Sequence, residues 1–532
     1  MAKLKVASRF LRRRTQKASP SPSPIYRVPP ELLIEIFLHA TFTPERKDAL
    51  LVGPSSLPLV ISQVCGTWHD VAVECPSLWT RIAIQRCTVF PVERELRIGD
   101  PINDVRDHFP LTQLFLERSG EYPIDVEIAV QQPPLPQNWW ACNHACMLPD
   151  LLFPHVGRLR SLMINHHSWE CHRTLWERIF VASMPILEDL QFYHFSPVFS
   201  TVLALPDAQL CPSLKHMIIS IPCRWQGFRH SNLTSLSFAM LPLRYCPTVQ
   251  ELVEILRFSK DTLDKVEILG AFAERGSEGS TSPDDRLMLP NVRMLRLGFY
   301  DARDAQKLLS HVAFPALQAL VMINMHGDNA WGIMRDAYAR LMSELFNTMI
   351  HLLPLGQITF LVLRYVEFRE ERFPAWASVE HGYVEEEDLP VPLKLMASLT
   401  SLRHLFLISP DNATLTSMNY PIPFICQSET EDSVSRLPLV LPNLSVLRIT
   451  ALSPEKYSHV LDWIVQRHSI LRATLAEHYH DGPFLRTLHL CLPEDAEVMV
   501  NTLGYPTLAC EETVSYRPGT QRMIDSVVHD NL

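Results

Sequence analysis

Glycine is scarce in this chain, at 17 of 532 residues, well under the roughly 7% that is usual. No glycine-rich phosphate cradle occurs, and neither does Gly-x-Ser-x-Gly or His-Glu-x-x-His, so no nucleophile, nucleotide or zinc-hydrolase site can be nominated. The expectation is a protein that is not an enzyme and carries no cofactor. Long apolar runs are also missing. The best stretch, Leu352 to Leu363, is interrupted by Pro354, Gly356 and Gln357 and falls short of the roughly 18 residues a spanning helix needs, so no membrane contact is expected. The first thirty residues lack the apolar centre of a secretory signal, and the twelve cysteines form no evenly spaced framework; both favour reduced thiols in the cytoplasm and/or nucleus. Cations are in deficit: 48 Lys and Arg against 58 Asp and Glu leave a net charge of -10, which excludes a general nucleic-acid coat.

Two weaker signals carry little weight. Cys142, His144, Cys146, His166, His167, Cys171 and His172 crowd together, but their spacing matches no zinc pattern. The sequons at Asn232, Asn412 and Asn443 need a secreted context to matter. Residues 1–24 are different in kind. They hold seven basic side chains and no acidic one, then end in a Ser-Pro run. Such a segment fits a solvated disordered arm, a nuclear-import patch or a transit peptide.

Proline, at 42 residues, supplies most of the punctuation. After Pro29 and Pro30, which suit a helix start, Leu32, Leu33, Ile36, Phe37 and Ala40 recur at helical spacing. A second apolar face follows in Leu59, Ile61, Val64, Cys65, Trp68, Val71 and Ala72, read as one helix stopped by Pro76. A short strand is expected over Arg81 to Ile84. So small a unit buries little of its own surface and should lean on something else.

The stretches Val28-Pro29-Pro30-Glu31-Leu32-Leu33-Ile34-Glu35-Ile36-Phe37, Leu59-Val60-Ile61-Ser62-Gln63-Val64-Cys65-Gly66-Thr67-Trp68 and Pro76-Ser77-Leu78-Trp79 resemble the F-box in its fungal form. The likeness covers about a tenth of the chain. It implies a helical module that docks a Skp-type adaptor and, through it, a cullin-RING ubiquitin ligase. On that resemblance the adaptor-binding residues are Pro29, Leu32, Ile36, Phe37, Val64, Cys65 and Trp68, with Leu78 and Trp79 closing the module.

From residue 159 onward an apolar-x-x-apolar-x-apolar triplet returns eleven times, from Leu159/Leu162/Ile164 through Leu263/Val266/Ile268 and Leu317/Leu320/Met322 to Leu485/Leu488/Leu490. The spacing between triplets is 19 to 30 residues at first and 41 to 44 later. Helical patterns lie between them, the clearest running from Thr248 to Lys260, where Thr248 and Glu251 can form a capping box. A strand covered by a helix closes no core alone, so stacked neighbours must share one. The pattern is similar to a leucine-rich repeat, although no unit has Asn or Cys at its ninth position, which predicts irregular curvature. Helix Asp104 to Ser119 and strand Ile124 to Val130 are expected before the first unit, and loops at Ala271 to Asp285 and Glu367 to Leu389, the latter with acidic Glu385 to Asp388.

The expected fold class is therefore α/β: a small N-terminal helical F-box followed by an irregular leucine-rich-repeat-like α/β solenoid. Its parts are the arm at 1–24, the helical domain at 25–85, a connecting segment at 86–150 and the solenoid at 151–532. The slot between the second and third apolar residues of a triplet should face a partner. Gln191, Glu267, Arg296, Phe406, Arg448 and His489 fill it and are the candidates for binding a substrate protein, whose identity the sequence does not give. The implied function is substrate recognition for a Skp-cullin-F-box type ligase. A scaffold with a degenerate F-box, binding partners without any ligase, is the alternative.

Overall fold

In the computed structural model the described residues are 28–42, 57–84, 109–129, 148–165, 169–193, 202–239, 241, 243–270, 286–326, 335–368, 389–419, 440–450, 460 and 487–490. The basic arm, the loop at 271–285, the acidic run 385–388 and residues 451–486, apart from Val460, lie outside them. The chain divides into two compact units, residues 1–187 and 188–532. Among the described residues no helix is long and apolar enough to cross a membrane.

Among the described residues the first unit begins with α1 (Pro30–Phe42), whose Leu33 and Phe37, one turn apart, are both 2% exposed. The single helix expected from Leu59 to Ala72 is instead two, α2 (Leu57–Ile61) and α3 (Gly66–Val73). Cys65 between them is extended, at φ -158°, and its sulfur accepts the Trp68 amide at 3.5 Å as an N-cap. Glycine costs about 1 kcal/mol in a helix interior; placed first in a capped helix, Gly66 avoids that penalty. A 3-10 turn (Pro76–Trp79) leads into β1 (Arg81–Ile84). Then come α4 (Pro110–Arg118), β2 (Ile124–Ala129), α5 (Leu148–Leu152), β3 (Leu159–Asn165) and α6 (Trp169–Ile179). β1 pairs with β2 and β2 with β3, all parallel. Fully buried Trp79 donates to the Ala72 carbonyl at 2.7 Å and meets the Phe115 ring edge-on at 5.0 Å, tying the helical module to α4. Arg158 donates to Leu116 O at 2.9 Å and Ser119 Oγ at 2.8 Å, serving the carbonyl end of α4.

Besides two two-stranded sheets, the second unit contributes ten strands of large parallel sheet among its described residues: β4 (Asp189–Tyr193), β5 (His216–Ser220), β6 (Ser235–Ala239), β7 (Lys265–Leu269), β8 (Met294–Phe299), β9 (Ala319–Asn324), β10 (Phe360–Arg364), β11 (His404–Ile408), β12 (Val446–Thr450) and β13 (Thr487–Leu490). From β5 onward each pairs with the strand before it in this series. No closed barrel forms among the described residues. Parallel neighbours need crossovers, and these carry α7 (Val249–Phe258), α8 (Ala302–His311), α9 (Arg335–Leu352), α10 (Val391–Ser398) and α11 (Asn412–Asn419). The predicted capping box opens α7: Glu251 N donates to Thr248 Oγ1, and Thr248 N to Glu251 Oε2.

In all eleven apolar triplets the second and third positions fall on strands of parallel sheet, one strand in the first unit and ten in the second. Their second positions align as a column, Leu190, Met217, Leu236, Val266, Leu295, Leu320, Leu361, Leu405, Leu447 and Leu488, each opposite the next. From Leu190 to Leu447 these side chains are no more than 1% exposed. Just before each strand a backbone ladder runs across the unit, with Arg293 N to Asp264 O, Gln318 N to Arg293 O, Thr359 N to Gln318 O and Arg403 N to Thr359 O.

The opposite face of the sheet does not match expectation. Side chains alternate along a strand, so the slot residues share this second face, yet β8 and β9 are buried at every position. Met294, Ala319, Val321, Ile323, Phe360, Val362 and Leu269 form an apolar cluster there, with Phe406 and Ile408 against it. The centre of the sheet is thus covered on both faces, as parallel sheets generally are, and the unbroken apolar run Ala319–Ile323 is the sequence form of that state.

Candidate protein-docking surfaces

Two regions can present side chains to a partner. The first is the helical module. On α1, Leu32 and Ile36 lie one turn apart on the side away from Leu33 and Phe37, and are 55% and 52% exposed. Val60 in α2 and Val64 just after it are 55% and 56% exposed. Pro29 is exposed as well, while Cys65 and Trp68 are half-buried. Phe37 is a correction: it was expected at the docking surface, but it packs inward and meets the Trp68 ring edge-on at 4.9 Å. With α1 turned by Leu33 and Phe37 toward α2 and α3, Leu32 and Ile36 remain outside. Val60 was missed; its aliphatic side chain sits four residues before Val64, and that spacing was the available signal.

The second region is the slot column on the second face of the sheet. Gln191, Ile218, Ser237, Glu267, Arg296, Val321, Val362, Phe406, Arg448 and His489 stand opposite one another in turn. Glu267 and Arg296, expected to face a partner, are each only 8% exposed. Arg296 Nη1 donates to Glu267 Oε1 at 2.7 Å, and Lys265 Nζ lies 3.9 Å from the second carboxylate oxygen. Their charges pair with one another where burial leaves them little contact with water. Gln191 is half-buried within a polar chain, donating to Asp189 Oδ2 at 2.8 Å and accepting from Tyr193 at 3.2 Å. Phe406 and Arg448 are half-buried, and the side chain of His489 lies outside the described residues. The five candidates whose side chains are described therefore divide into a buried pair at the centre and half-buried positions on either side of it.

Perturbed titrating groups mark structure rather than chemistry. Burial, aided by Asp207, pushes the Cys211 thiol up to about 12. Burial raises Tyr338 as well, with Asp301 and Glu367 adding to it. Asp301 is held down first by its hydrogen bond from Arg303, and it caps α8 by accepting the Arg303 amide at 2.9 Å, so its carboxylate is occupied. Among the described residues no group of three or more His, Cys, Asp or Glu is placed to hold a metal ion. The cysteine and histidine side chains at 142–146, 166–167 and 171–172 lie outside them.

Fold and surfaces define a mixed α/β protein with a large parallel sheet and a small helical module. The sequence matches no protein-family model and no curated protein.

Proposed function

We propose that this chain is a non-enzymatic substrate receptor of a Skp-cullin-F-box type ubiquitin ligase, working in the cytoplasm and/or nucleus. The helical module docks a Skp-type adaptor, which links the chain to a cullin-RING ligase. The strand-helix repeats, stacked as an irregular leucine-rich-repeat-like solenoid, hold a substrate protein so that ubiquitin transfer gains from proximity. No nucleic acid or membrane takes part. One observation carries this proposal: Leu32, Ile36, Val60 and Val64 are more than half exposed on elements whose inner faces are fully packed. Covering such a group on a partner is worth about 1 kcal/mol per side chain, half the usual value for complete burial, and clustered aliphatic anchors are what a stable interface uses.

The test is co-expression with a fungal Skp-type adaptor followed by gel filtration. The wild-type chain is expected to elute as a complex. Leu32→Asp with Ile36→Asp is expected to elute alone with an unchanged thermal melt, because both positions face solvent. A wild-type chain that binds no adaptor overturns the proposal.

A further inference from the structure

The geometry points to an acid-sensitive latch in the first unit: on taking up a proton, His155 turns from a partner of Arg158 into a competitor and releases the carboxyl end of α4. This goes beyond the receptor proposal and does not depend on it, because the latch is read with no adaptor or substrate present.

Arg158 ends a 3-10 turn (Phe153–Arg158) and reaches back to α4. Its Nη2 donates to Leu116 O at 2.9 Å, and its Nη1 donates to Ser119 Oγ at 2.8 Å and to Tyr122 O at 3.1 Å. A cation there also suits the negative end of the helix dipole. The Nε edge of the guanidinium meets His155, whose Nδ1 lies 3.4 Å from Nε and 3.3 Å from Nη2. A guanidinium only donates hydrogen bonds, so Nδ1 must hold a lone pair and the imidazole must be neutral. Protonation sets an N–H and a second positive charge against the same guanidinium, and both contacts are lost.

His155 and Arg158 are both half-buried. Burial first, and then Arg158, hold the imidazole below its ordinary 6.5, while Glu121, in the turn after α4, pulls the other way. Other charged groups on the surrounding elements are engaged elsewhere. Asp150 of α5 pairs with Arg178 of α6, Glu117 of α4 accepts from Gln113 at 2.6 Å, and Arg118 of α4 lies 4.3 Å over the Trp79 ring. Arg173 of α6 is partnered too, and Glu177 of α6 and the Tyr122 phenol are exposed. With the latched form binding its proton more weakly, the open form takes one up first as pH falls. The latch therefore holds above about pH 6.5 and is lost as pH drops through the lower latched value. Phe115, which directly precedes Leu116, is the residue that meets Trp79, so the latch closes the helix that seats the helical module.

The experiment is hydrogen–deuterium exchange of the full chain, read by mass spectrometry at neutral pH and about one unit below pH 6.5, with intrinsic exchange rates corrected for. It follows the Ser119, Gly120 and Tyr122 amides, which donate to the Phe115, Glu117 and Ser119 carbonyls and close the end of α4. Amides of β8 report global opening. In the wild-type chain the α4 end is expected to exchange up to about tenfold faster at the lower pH, the most that one imidazole can supply there, with β8 unchanged. His155→Gln, neutral and able to accept from Arg158 through its amide oxygen, should show no such gain. His155→Lys should open the end at neutral pH already. No gain in wild type, the same gain in His155→Gln, or His155→Lys as protected as wild type at neutral pH overturns the inference. An equal gain in β8 overturns it too, because the opening is then global.

Discussion

Arg296 and Glu267 meet across adjacent parallel strands at 2.7 Å, each with about a tenth of its side chain open to water. Removing one partner of a buried pair leaves the other uncompensated, at about 3 kcal/mol or more. Glu267→Ala is expected to cost that much, because it leaves two cations, Arg296 and Lys265, without the carboxylate they share. Arg296→Met should cost less, since Lys265 still lies 3.9 Å from the carboxylate. Replacing both by Leu and Met should recover much of the loss. Urea denaturation of the three variants checks the order.

Phe37 and Leu32 separate packing from docking. Phe37→Ala should destabilise the first unit by about 3 kcal/mol or more, as expected for a large-to-small change at a 2% exposed aromatic. Leu32→Ala, at a position 55% exposed, should stay within about 0.5 kcal/mol. Differential scanning calorimetry of the two variants measures this contrast without any partner present.

Much of this was legible in the sequence, for identifiable reasons. The triplets fixed strand positions and even register, because Leu295, Leu320 and Leu361 belong to the one column that must be dry. The capping box at Thr248 announced α7 through chemistry local to four residues. Burial of the second face was not legible from the triplets, which report one parity of the strand; the signal lay in the uninterrupted Ala319–Ile323 run. The split between α2 and α3 turned on a sulfur cap at Cys65, a weak propensity signal. A turn ladder was also missed. Asn232, Asn291 and Asn443 each precede the first apolar residue of a triplet and donate to Pro212 O, Asp261 O and Thr400 O, at 3.1, 2.7 and 2.7 Å. Asparagine was sought at the ninth position, whereas Asn324, at the eighth, donates to Tyr365 O at 2.9 Å.

Gly298 and Gly270 are places where a methyl group does not fit. At Gly298 an added Cβ would lie 2.9 Å from Leu269 Cδ2 and 3.2 Å from Leu269 Cα. At Gly270, with φ +64°, it would lie 2.7 Å from the Tyr300 ring. Gly298→Ala and Gly270→Ala are each expected to lower stability by about 1 to 3 kcal/mol, although alanine normally favours the folded state by restricting the unfolded one. Thermal melts of the two variants test the sign.

His230 should make stability depend on acid. It is buried beside Phe228, its ring nitrogen 3.0 Å from the Pro206 carbonyl, and its own carbonyl accepts the Ser259 hydroxyl. Burial holds the imidazole below its ordinary 6.5, against the opposing pull of the Pro206 carbonyl and Asp207. The unfolded chain therefore takes up the proton first as pH falls. Its contribution is complete above about pH 6.5 and is lost as the pH drops through the lower folded value. His230→Gln should flatten the decline of the urea midpoint between about pH 7 and pH 5; a decline as steep as that of wild type would refute the assignment.

The leucine column has a consequence for protein engineering. Strand alignment is unchanged whether 19 or 44 residues separate successive triplets, so alignment is written in each strand and not in the spacer. A reporter cassette or affinity handle spliced into one of the longer spacers, such as the one between Arg364 and His404, should therefore leave every flanking strand where it was.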